Sequence, residues 1–129
     1  MLDEQTGVPP LDSLQAVADA ADVLRLVEAA REIYVEESLG RYVVALLRQT
    51  RSDQRLYLGA SPRAGIALLR VAKARALGEG RDFVVPDDVK AVAGSVLAHR
   101  LILAPEARSA GLGPDELVAD ALARTPVPV

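Results

Sequence analysis

Leu39, Tyr42, Val43, Leu46, Leu47 and Thr50 recur three and four residues apart, while Arg41, Arg48 and Gln49 fall between them. This is the period of an α-helix with one dry stripe and one wet face, and it predicts a helix over 36–51. The same signal appears elsewhere. Asp19 and Asp22 are both able to start a helix over 20–32, along which Val23, Leu26, Val27, Ala30 and Ile33 keep helical spacing. A third helix is predicted over 62–77, apolar around most of its circumference through Ile66, Leu68, Leu69, Val71, Ala72, Ala76 and Leu77, and therefore expected to be central. Gly78 and Gly80 supply its stop.

A fourth helix opens at Pro86 with Asp87 and Asp88 in its first turn and carries the stripe Val89, Val92, Ala93, Val96 and Leu97. A fifth, shorter one opens at Pro114, Asp115 and Glu116, turns Leu117, Val118, Ala121 and Leu122 inward, and ends before Thr125-Pro126-Val127-Pro128. Between these lie the β-branched break Ile33-Tyr34-Val35, a loop over 52–60, and an extended connector from Arg81 to Val85 that includes Phe83. Residues 1–12, with Gly7, Pro9 and Pro10 and no sustained period, read as a linker or arm. The expected fold is all-α: one small bundle of four to five helices over 13–129, with a short extended connector near Phe83.

Composition narrows what such a bundle does. Four aromatic residues among 129 leave the core to Leu, Val, Ile and Ala. Fifteen basic against eighteen acidic residues give a net charge of −3, so no overall basic field draws nucleic acid, and helix-turn-helix DNA binding is disfavoured. Cysteine is absent, which excludes disulfides and thiolate metal sites and fits a reducing compartment. Apolar runs such as Val43-Val44-Ala45-Leu46-Leu47 are too short to cross a bilayer. The expectations are a cytoplasmic location, no nucleic acid and no membrane.

A phosphate loop of the Gly-x-x-x-x-Gly-Lys-Ser/Thr kind is missing, and a single histidine makes a catalytic triad or zinc site implausible. Asp87 and Asp88 are adjacent on a helix and point apart, so they read as first-turn acids rather than a catalytic pair. His99 and Arg100 follow the fourth helix and suit its carbonyl end, and Gly80-Arg81 reads as a C-cap with an exposed arginine.

The segment Gly59-Ala60-Ser61-Pro62-Arg63-Ala64 departs from these rules. Ser61 is a natural N-cap and Pro62 a natural first helical residue, which places Arg63 where the helix dipole favours an acid. A cation there costs about 0.3–1 kcal/mol when exposed. Locally two readings stand: an arginine extending into water from an ordinary capped helix, or a guanidinium and free N–H groups arranged for an anion, phosphate above all.

The order Thr50-Arg51, Leu58 to Ala64, Ala74-Arg75-Ala76, Gly80-Arg81, Phe83-Val84-Val85-Pro86-Asp87-Asp88-Val89 and Val96-Leu97-Ala98-His99-Arg100 resembles the C-terminal lid of MoxR-family AAA+ ATPases. The lids of magnesium-chelatase ATPase subunits are the nearest alternative. The resemblance implies that Arg63 is the sensor-two arginine, reaching with the Ser61 and Ala64 region toward the terminal phosphate of ATP, accompanied by magnesium, on an α/β core. That core is absent from these 129 residues. The resemblance thus implies a lid portion that by itself binds ATP weakly or not at all and hydrolyses none. It further implies a parent ATPase of chaperone or remodelling type, a hexameric ring in which the lid meets the core of its own and the neighbouring subunit, and partnership with a von Willebrand factor A domain protein. The alternative from another class is a free-standing helical module whose Ser61 region binds an acidic or phosphorylated partner.

Overall fold

The computed structural model describes residues 14–128. The arm expected over 1–12 lies outside the described residues. The described residues form six α-helices: α1 (Ala20–Glu32), α2 (Glu37–Ser52), α3 (Pro62–Gly78), α4 (Pro86–Leu97), α5 (Pro105–Ser109) and α6 (Pro114–Arg124). Two short strands, β1 (Leu56–Leu58) and β2 (Ile102–Leu103), pair antiparallel. The all-α expectation holds. The loop expected over 52–60 contains β1, and α5 is a further helix of five residues opened by Pro105 and Glu106.

The elements form where their caps and stripes direct. Asp19 caps α1 in a reciprocal box with Asp22, each side chain accepting the other's backbone N–H at 2.8 Å. In α2 the buried residues are Leu39, Tyr42, Val43, Leu46, Leu47 and Thr50, the same six that set the period. Gly80, at φ 72°, ends α3: its N–H donates to Leu77 O at 2.9 Å and the Arg81 N–H to Ala76 O at 2.9 Å. This is the paired C-terminal closure that glycine makes inexpensive. The connector after it is extended, and Phe83 bridges Tyr34 in parallel, so the break after α1 and the entry to α4 run side by side.

The core is aliphatic. Leu46 of α2, Leu68 of α3, Val89 and Leu97 of α4, and Val118 of α6 are almost wholly buried, with Ala64, Ala72, Ala76 and Ala93 letting the helices approach closely. As expected, α3 is central, packing on α1, α2 and α4. Its apolar circumference is nevertheless not fully covered, since Ile66 and Val71 are exposed. The more pronounced exception is α1. Its apolar stripe is present, yet none of its residues is buried, and Val23, Leu26 and Val27 stay exposed. Lys73 Nζ, donating to the Arg31 carbonyl at 2.8 Å, ties the end of α1 to α3.

Candidate functional site

The start of α3 is positioned from the end of α2. Buried Thr50 donates its hydroxyl to Leu47 O at 2.7 Å, and its Oγ1 accepts the Ala60 N–H at 3.0 Å. Gly59 lies so close to α2 that a Cβ there would stand 2.7 Å from the Arg51 N, the Arg51 Cα and the Thr50 carbonyl. The chain is therefore pinned one residue before the N-cap. Across the same junction Gly65 presses on Leu47, whose Cδ1 would lie 2.7 Å from an added Cβ. Two glycines and one threonine thus fix where α3 begins relative to α2.

Ser61 caps α3, its side chain accepting the Ala64 N–H at 3.3 Å, and Pro62 follows as the first helical residue. The Ala64 N–H also reaches the Ser61 carbonyl at 2.9 Å, and the Gly65 N–H reaches it at 3.3 Å. Pro62 has no N–H, so among the described residues the first turn presents one unclaimed backbone donor, that of Arg63. Ala64 is wholly buried and its donor is committed to the cap. Of the three residues expected at the site, Ser61 and Arg63 face solvent, whereas Ala64 serves to seat the helix. Arg63 is exposed, makes no ion pair among the described residues, and has no acid in its helical turn.

The beginning of α4 is the opposite case. Asp88 is almost completely buried and accepts the Val85 N–H at 2.9 Å. Arg81 grips it with two nitrogens at 2.7 Å each, and Arg75 Nε stands 3.5 Å away. The Arg81 guanidinium, foremost, holds the Asp88 carboxyl below its ordinary pKa. Arg81, expected as an exposed cap residue, is instead a partner in this clamp and also donates to Phe83 O at 3.0 Å. A second clamp joins the end of α2 to α6: Arg55 reaches Asp53 at 2.7 Å and Asp120 at 2.8 Å. Hydrogen bonding from Arg55 lowers the Asp53 pKa to about 2.

Asp87 is exposed and pairs with Lys90 within its own helix, so the two neighbouring acids have separate structural partners. His99 lies on a 3₁₀ turn, Ala98–Arg100, its Nδ1 3.1 Å from the Ser95 carbonyl and its Nε2 accepting from Arg100. Among the described residues no three His, Cys, Asp or Glu side chains gather as a metal site, and no helix is long and apolar enough to cross a membrane.

Residues 48–121 match the family model described as the AAA lid domain, which covers both clamps and the α3 start. The chain is 36% identical over 121 residues to the chaperone MoxR1 of Mycobacterium tuberculosis, covering 87% of this chain and 32% of that protein. It is 38% identical over 118 residues to the protein MoxR of Methylorubrum extorquens, covering 86% and 34%. A crystal structure from Cytophaga hutchinsonii, carrying a provisional ATPase assignment, superposes with a TM-score of 0.80 at 34% identity, covering 84% of this chain and 36% of that one. The chain therefore spans about a third of the length of these proteins.

Proposed function

The chain belongs to the AAA lid domain family, in the form carried by MoxR proteins, and from that membership we propose that it is the nucleotide-sensing lid of a MoxR-like AAA+ ATPase of chaperone or remodelling type. One observation carries the reading: Arg63 stands exposed and unpaired, among the described residues, at an acid-free helix start whose position is set by Thr50, Gly59 and Ser61. A guanidinium held there by rigid backbone suits the terminal phosphate of ATP on a core domain.

The residues fit that role in part. Arg63 supplies a planar cationic fork and one backbone N–H, which bind phosphate oxygens. Magnesium takes oxygen ligands, and the first turn of α3 offers no carboxylate, so the ion that accompanies ATP belongs on the core. When ATP is bound between core and lid, Arg63 stabilises the charge on the transferring phosphoryl group; after hydrolysis that attraction weakens and the lid moves. The exposed stripe Val23, Leu26 and Val27 on α1 is the seat of the core domain, so the helix with no buried residue in this chain is covered in the parent. Assembly into a ring, a von Willebrand factor A domain partner and a cytoplasmic setting belong to the same proposal.

In the lid joined to its core, Arg63→Ala leaves folding intact and lowers ATP turnover by about a hundredfold, the scale for removing one transition-state donor. The 129-residue chain alone hydrolyses no ATP. Turnover by the isolated chain that Arg63→Ala abolishes contradicts the proposal.

A further inference from the structure

Helix α1 is rooted at one end and free at the other. Beyond its C-terminal end Ile33 is buried, and Lys73 Nζ holds the Arg31 carbonyl at 2.8 Å. Tyr34 is bonded twice to the connector between α3 and α4, its N–H donating to Asp82 O at 2.8 Å and its carbonyl accepting the Val84 N–H at 3.0 Å. The apolar residues of α1 that are partly covered, Ala29 and Ala30, lie next to this root, and Ala30 faces Leu69 and Ala74 of α3 across a shared cleft.

The first two turns have no such hold among the described residues. Val23, Leu24 and Leu26 are 54%, 64% and 59% exposed. The bonds that shape this end are local: the box of Asp19 and Asp22, the Asp19 carbonyl accepting the Val23 N–H at 3.2 Å, and the ion pair of Asp22 with Arg25. Such bonds do not replace burial. A helix of 13 residues is marginal in water by itself, and in a folded domain it draws most of its stability from an apolar face packed on the core. Helix α2 follows that rule, with six of its sixteen residues buried, whereas α1 buries none. An element with few buried apolar contacts and exposed hydrogen bonds opens at a lower free energy than the core beneath it. Opening α1 from Asp19 toward Ala29 uncovers no buried residue, while going further has to release Ile33 and both Tyr34 bonds.

We propose that α1 is a conditionally ordered strap. In the free lid its first two turns fold and unfold about the root at Ile33 and Tyr34 independently of the bundle, and they become fixed when the core domain covers Val23, Leu24 and Leu26. The covering partner rests on the nucleotide-sensing reading above; the independence of the strap does not. Ordering these residues opposes closure by their conformational entropy, and apolar burial against the core offsets it, so α1 order and lid position change together.

Amide hydrogen exchange read by NMR on the 129-residue chain tests the strap. Amides over 23–28 are expected to exchange at least about a hundredfold faster than those on the buried face of α2. Asp19→Ala, which removes the cap, speeds exchange over 23–28 about fivefold and leaves the urea midpoint of the bundle unchanged. In the lid joined to its core, with a non-hydrolysable ATP analogue bound, the same amides slow at least about tenfold. Val23→Lys with Leu26→Lys cancels that slowing without lowering the urea midpoint of the isolated chain. Equal exchange in α1 and α2 of the free chain overturns the proposal, as does a urea midpoint lowered by Asp19→Ala, and as does α1 exchange that is unchanged on joining the core. Full ATP turnover by Arg63→Ala defeats the nucleotide-sensing reading instead, and leaves the exchange expected of the free chain as it stands.

Discussion

The helices α3 and α4 both open with proline at the first helical position, yet their first turns are built to opposite ends. At α4, the acid favoured by the dipole is buried, caps the Val85 N–H and is held by Arg81. At α3 the corresponding turn holds no acid, and Arg63 projects into solvent. Electrostatic stability is thus placed at the joint between α3 and α4, and withheld at the joint between α2 and α3. The α4 joint satisfies its own charges, whereas at the α3 joint Arg63 is exposed and, among the described residues, unpaired; the proposed nucleotide-sensing role is what assigns it an anion from outside.

Removing the satisfied charge gives the largest expected effect. Asp88→Ala strips the cap from α4 and leaves Arg81 without its partner, so urea denaturation is expected to show a loss of about 3 kcal/mol or more. Acid acts on the same pair. The folded-state pKa values of Asp88 and Asp53 are depressed, the latter to about 2, so the stabilisation they give is fully present above the unfolded carboxylate range. It is lost progressively as pH falls from about 5 through the depressed folded-state values, about 2 for Asp53, because the unfolded chain takes up protons first. Thermal melts across this interval show the decline in the wild type, and Asp88→Ala flattens it.

At the other joint the constraint is steric, and the effect is smaller. Gly59→Ala forces a Cβ to within 2.7 Å of α2 backbone and is expected to cost about 1–3 kcal/mol, with a lowered melting temperature. Smallest of all, and opposite in sign, is Arg63→Glu. Placing an acid in the first turn of α3 is expected to stabilise the chain by about 0.3–1 kcal/mol in denaturant titrations. Were Arg63→Glu to destabilise the fold, the contrast between the two helix starts would collapse, because Arg63 would then be structural.

Much of this was legible in the residues. Local periodicity identified the full buried face of α2, and capping chemistry placed the starts of α1, α3, α4 and α6 at Ala20, Pro62, Pro86 and Pro114, with Asp19 and Asp22 both open as the starter of α1, because those signals act within a turn or two. What escaped is non-local or brief. The ribbon pairs Leu56 and Leu58 with residues more than forty positions away, Leu103 and Ile102, and neither short segment alternates. Helix α5 spans five residues, too few for a period, with only Pro105-Glu106 as a signal. Arg81 was legible as a neighbour of the glycine stop, but its union with Asp88 depends on the turn bringing α3 and α4 together.

The apolar spacing of α1 and the breadth of α3 were readable, but their burial was not. A helix apolar on many sides is expected to be covered within its own chain, whereas Val23, Leu26, Ile66 and Val71 remain open to solvent. Similarly, the anion reading of Arg63 could be stated from Ser61 and Pro62, while only the structure shows that Ala64 spends its N–H on the cap and leaves Arg63 as the donor.

The most direct measurement is steady-state ATP hydrolysis by this lid joined to its AAA+ core, with and without Arg63→Ala, alongside circular dichroism melts of both. The proposed nucleotide-sensing role of Arg63 requires equal melts and a fall in kcat of about a hundredfold. Equal melts with unchanged kcat would contradict it.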